Sequence, residues 1–125
     1  MGLNINNDNQ GYLLGRLFAL LEKVQQDAVR GANATIRDRY MGAAAATPAR
    51  VFPQLLKLAQ HHISKSEYGS LMDRRIQEVI SQMGDTGFPK TLSFEDQGMF
   101  YIGYYQQKQA LYAKVQEPVQ DGKED

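Results

Sequence analysis

The sequence predicts an all-α fold, a compact antiparallel helical bundle of about five helices. Three observations carry that expectation. Apolar residues recur at a period near 3.6 in several separate segments, the spacing that gathers them on one face of a helix. Period-two alternation is not sustained, and no Asn-Gly or Asp-Gly turn lies between apolar runs, so the signals of strands and hairpins are missing. Cap and stop residues fall at the ends of the periodic segments.

Leu13, Leu17, Leu20, Leu21, Val24 and Ala28 form the first stripe and place a helix from about Gln10 to Val29. Asp8 or Asn9 can cap it by accepting a hydrogen bond from a free backbone N–H, and Gly31 is a suitable stop. Asn33 can cap a second helix, Ala34 to about Ala46, whose Gly42–Ala46 tract of tiny side chains lets a neighbouring backbone come close. Thr47 before Pro48 marks a third start, a cap residue with proline at the first helical position. Pro53 lacks an N–H and is expected to kink that helix or define its real beginning. Val51, Leu55, Leu58, Ala59 and His62 continue the stripe to about Ser64.

A fourth helix is expected from about Ser66 to Met83, with Met72, Ile76, Val79, Ile80 and Met83 inward and Gly84 closing it. Gly84 to Thr91 reads as a loop. Ser93 and Asp96 approximate a capping box for a last helix, Phe94 to about Gln116. Phe100, Tyr104, Leu111 and Val115 share one stripe of it, and Tyr101, Tyr105 and Tyr112 share another beside it. The first and last helices are long, which suits an antiparallel bundle.

At 125 residues the chain fits one domain: a helical bundle over 1–116 and a flexible acidic tail over 117–125. Its formal charge is zero but unevenly spread. Between Arg16 and Arg75 ten basic residues face five acidic ones, and the rest of the chain carries the balancing negative charge. That asymmetry strengthens the case for a polyanionic partner, although charge alone more often marks an ordinary solvated helix surface. There is no cysteine, which excludes disulfides, thiol nucleophiles and cysteine zinc sites. The N-terminus is polar, Asn6 breaks the myristoylation pattern after Gly2, and no apolar run is long enough to span a bilayer. A soluble, cytoplasmic protein is expected.

Catalytic constellations are thin. His61 and His62 are the only histidines; adjacent helical residues point about 100° apart, and no carboxylate stands three or four residues away. Half-burial of His62 and exposure of His61 account for the pair better than a metal site does. Glu95 and Asp96 sit in a first helical turn, where the helix dipole stabilises negative charge. Neither a phosphate loop nor a Gly-x-Ser-x-Gly elbow is present. The Gly11-x-x-x-Gly15 spacing permits close helix approach but is a weak signal in a soluble chain. No cofactor, metal site or enzymatic activity is therefore expected.

The basic residues point further. Arg16, Lys23 and Arg30 are spaced by seven, on a side of the first helix away from the leucines. Arg37 and Arg39 fall in the first turns of the second helix, where free N–H groups also attract phosphate. Arg50 and Lys57 lie on the third helix, and Arg74 and Arg75 face outward on the fourth if Met72 and Ile76 face inward. Lined up along a groove, these nine would hold a nucleic-acid backbone through charge without reading its sequence. Tyrosines could stack on bases, although tyrosine at helical spacing is more often core or interface.

Three blocks also carry a family likeness: Gly11 to Gln25, GYLLGRLFALLEKVQ; Gly31 to Lys65, GANATIRDRYMGAAAATPARVFPQLLKLAQHHISK; and Phe100 to Lys114, FYIGYYQQKQALYAK. In this order they resemble the C-terminal region of the large subunit of type I-C CRISPR Cascade complexes, over roughly Gln10 to Lys114. The resemblance implies the separate small subunit that this family makes by internal translation initiation within the large-subunit gene. As such it would be a helical bundle, present in more than one copy, lying on the crRNA-bound backbone beside the large subunit in a prokaryotic cytoplasm. It would hold the displaced non-target DNA strand, stabilise the R-loop in antiviral defence and have no nuclease activity.

Three functions are thus set against one another. The first is a non-catalytic subunit gripping single-stranded DNA by charge. The second is a purely structural spacer docking on the crRNA backbone without DNA contact. The third is a nuclease built on Glu95, Asp96 and the histidines, which a metal-dependent cleavage assay would expose.

Overall fold

The computed structural model of the chain describes residues 2–28, 36–65 and 69–116. Five helices make it up: α1 (Gln10–Ala28), α2 (Ile36–Ala46), α3 (Pro48–Ile63), α4 (Gly69–Met83) and α5 (Phe94–Gln116). No strand occurs among the described residues, and the all-α bundle expected from the periodicity is the fold observed. Arg30, the stop assigned to Gly31, the cap assigned to Asn33, the start assigned to Ser66 and the 117–125 tail lie outside the described residues.

The helices alternate in direction. Gln25 near the end of α1 accepts the Ile36 N–H at the start of α2, while Ala46 at the end of α2 accepts the Leu92 N–H just before α5. Gln60 of α3 donates to Asp73 of α4, and Arg16 of α1 donates to Gln82 of α4. As first and fifth in this alternation, α1 and α5 run the same way: Asn9 meets Asp96, Arg16 meets Gln107 and Gln26 meets Tyr112. In the alternation of an antiparallel bundle the fifth helix returns to the direction of the first.

α1 touches each of the other four helices. Every residue from Gly11 to Glu22 is buried, so its surroundings are those of a central helix and not of an amphipathic one. The leucine stripe is inside, together with Tyr12, Leu14, Phe18 and Ala19 beside it. Phe18 anchors the core: its ring meets Phe52 edge-on at 6.3 Å and lies 5.8 Å from both Phe100 and Tyr104. Glycine makes the α1–α5 seam possible. A Cβ on Gly11 would meet the Asp96 carbonyl, one on Gly15 the Phe100 carbonyl, and one on Gly103 the Tyr12 carbonyl. The Gly11-x-x-x-Gly15 spacing therefore brings backbone against backbone, answered by Gly103 from the other side.

The local signals held in part. Asn9 caps α1 by accepting the Tyr12 N–H, and Ser93 caps α5 by accepting the Asp96 N–H. The Asp96 carboxylate turns to the Asn9 amide and ties the starts of α1 and α5 together. Thr47 does not cap α3; its hydroxyl donates back to the Ala43 carbonyl, and Pro48 alone sets the start. Pro53 sits inside α3, which runs unbroken from Pro48 to Ile63. Gly84, at φ 83°, ends α4 in the left-handed conformation that favours glycine.

Candidate nucleic-acid interface

The sequence-selected cations fall into three environments. Arg39, Arg50, Lys57 and Arg74 are exposed, and none forms an ion pair among the described residues. Their placement follows from the core pattern. α3 buries Val51, Phe52, Leu55 and Ala59, which leaves Arg50 and Lys57, seven residues apart, on its solvent side. α4 buries Ile76 and Val79, and Arg74 stands opposite them.

Lys23 and Arg37 gather around α5. Lys23 pairs with Asp27 at 3.0 Å and lies 5.6 Å from the Tyr112 ring centroid. Arg37 is close to Tyr104 and Glu22, and attraction to Tyr104 first, and to Glu22 as well, raises its pKa. Glu22 is a buried carboxylate at 2% exposure. The Tyr104 hydroxyl donates to it at 2.6 Å, and Lys108 Nζ stands 3.7 Å from it and 3.2 Å from the same hydroxyl. Burial, then the bond to Glu22, pushes the Tyr104 pKa far up. Sequence reading passed over Lys108. The available signal was Glu22 itself, an acid inside an apolar helix, which demands a donor.

Arg16 and Arg75 differ from the rest. Arg16 was expected on the surface but is 8% exposed, because α1 is covered on that side by α4 and α5. Its Nε donates to Gln107 at 2.9 Å and its Nη1 to Gln82 at 3.2 Å, while burial lowers its pKa. Arg75 is half-buried and does not point straight outward; it lines an open recess of about 420 Å³ together with Arg16. Arg30 is outside the described residues. The eight described cations thus fall into three groups: two line a recess, two flank α5, and four are exposed on α2, α3 and α4.

The aromatic stripes of α5 separate as their spacing predicts. Phe100, Tyr104 and Leu111 are buried, whereas Tyr101, Tyr105 and Tyr112 are exposed on a face that also carries Phe94 and Lys108. His61 is exposed and His62 half-buried, its pKa lowered by burial and then by His61 and Lys65. Among the described residues no group of three or more histidines, aspartates or glutamates could hold a metal ion. Nor is any described helix long and apolar enough to cross a membrane.

The profile of the CRISPR-associated protein (Cas_Csd1) family matches residues 1–112. No curated protein matches the chain.

Proposed function

The chain belongs to the CRISPR-associated Cas_Csd1 family, and on that premise we propose that it acts as a non-catalytic small subunit of a type I-C interference complex. In this reading it binds the displaced non-target DNA strand and stabilises the R-loop. The observation that carries it is the set Arg39, Arg50, Lys57 and Arg74: four exposed cations, on three helices, with no carboxylate partner among the described residues. A strand whose sequence differs at every target must be held through its phosphates, and unpaired surface cations do that without reading bases. The small subunit would lie beside the large subunit and the crRNA-bound backbone in more than one copy, in the cytoplasm.

The test is replacement of all four by glutamate in a reconstituted complex. The fold is expected to survive, because the side chains are exposed, while R-loop formation weakens. For every phosphate no longer neutralised, the dependence of log affinity on log salt should become shallower by about 0.7. Unchanged R-loop formation and salt slope would reject the reading.

The spacer reading has its own observation, the exposed Phe94, Tyr101, Ile102, Tyr105 and Tyr112 of α5. An apolar face of this kind suits a protein neighbour. If it alone fixes the subunit in place, alanine at Tyr101 and Tyr105 releases the subunit, and charge reversal leaves R-loops intact.

A further inference from the structure

The recess between α1, α4 and α5 has an unusual imbalance of hydrogen-bonding groups. Two guanidiniums, Arg16 and Arg75, line it against a single carboxylate, Glu78. Arg16 is more than nine-tenths buried, yet its two bonds go to neutral amides, and no carboxylate lies within ion-pair distance of it among the described residues. Its Nη2 has no acceptor there. Gln107, 5% exposed, spends its carbonyl oxygen on Arg16 Nε, which leaves its buried Nε2 donor without an acceptor among the described residues as well. Buried donors are ordinarily satisfied, and a buried charge is ordinarily paired. Two residues with an unmet donor, one of them cationic, line the same opening, and together they suit an acceptor that carries negative charge.

The remaining wall is apolar, with Leu20 on one side and Ala110 on the other. At about 420 Å³ the recess falls in the size range of small-ligand sites. We propose that this recess binds the phosphate group of a nucleotide, with Arg16, Arg75 and the Gln107 amide donating to the phosphate oxygens and the sugar or base lying against Leu20 and Ala110. The site shares no residue with the set Arg39, Arg50, Lys57 and Arg74 and does not depend on their role.

The phosphate can come from a free nucleotide or from a strand, and two probes tell these apart. Thymidine 5′-monophosphate is titrated into the 125-residue chain while the Arg16 Nε–H and Gln107 side-chain amide resonances are followed. Saturable shifts of both are expected, and thymidine without the phosphate should move neither. Hexathymidylate that displaces the mononucleotide assigns the site to a strand; failure to displace it assigns the site to free nucleotides. Arg75→Gln, at a half-buried position that the fold tolerates, should weaken binding about tenfold or more. Glu78→Gln should tighten it, an effect that no purely structural role for Arg16 produces. The proposal is overturned if neither probe shifts the two resonances, if thymidine shifts them equally, or if Arg75→Gln binds as well as the parent chain. Strand binding abolished by reversal of Arg39, Arg50, Lys57 and Arg74 reports on the other surface, so either reading can fail without the other.

Discussion

The α1–α5 seam and the outer faces of α3 and α4 are built on opposite plans. At the seam, Gly11, Gly15 and Gly103 let two backbones touch, and a buried carboxylate accepts from a tyrosine and pairs with a lysine of the facing helix. On α3 and α4 one apolar face packs inward, and the cations opposite it stand in solvent. The first region has little freedom to change. The second can vary its charge without disturbing the core.

The sharpest way to break this contrast is to put bulk at the seam. Gly15→Val should prevent the helices from closing, since even the Cβ carbon would approach the Phe100 carbonyl carbon to 2.8 Å. A loss above about 4 kcal/mol is expected in urea unfolding, against a gain of up to about 1 kcal/mol for Gly42→Ala, whose exposed site on α2 has nothing within 4 Å. Equal responses at the two glycines would refute the account of the seam.

The buried charge comes next. Glu22→Ala removes the acceptor of Tyr104 and the partner of Lys108, and should cost about 2–3 kcal/mol. The cost stays in that range because Lys108 still reaches water. Glu22→Gln, which keeps an acceptor, should cost less.

Two pH effects are smaller and have opposite signs. The Tyr104 pKa is raised in the fold by burial and by Glu22, so the unfolded chain loses its proton first. The corresponding stability is whole below the unfolded value of about 10 and declines as pH rises beyond it. Tyr104→Phe should flatten that alkaline decline in pH-dependent melts. The His62 pKa is lowered, chiefly by burial, so the unfolded chain takes up a proton first. That contribution is whole above the unfolded value of about 6.5 and is lost as pH falls through it towards the folded value. His62→Asn should remove this acid-side slope and leave the alkaline one.

The same contrast explains what could be read from sequence. α3 and α4 show a periodic face, so most of their inward residues and the outward Arg50, Lys57 and Arg74 were legible; the exception is Leu58, expected inside α3 but exposed, while Phe52 is buried in its place. α1 is covered on all sides, and in such a helix periodicity carries no information about which polar residue is outside. Arg16 was therefore placed on the surface although α4 and α5 cover it. Lys108 was invisible because its partner, Glu22, lies 86 positions away in sequence and is reached only through packing. The glycine spacing in α1 was visible, but its force depends on Gly103, which only the fold brings opposite.

The central claim is that the free cations of α2, α3 and α4 lie on the displaced strand. Photo-cross-linking side chains placed one at a time at positions 39, 50, 57 and 74, in an assembled complex carrying an R-loop, test it directly. The account predicts adducts with the non-target strand from these positions. Adducts with protein alone, at all four, would contradict it.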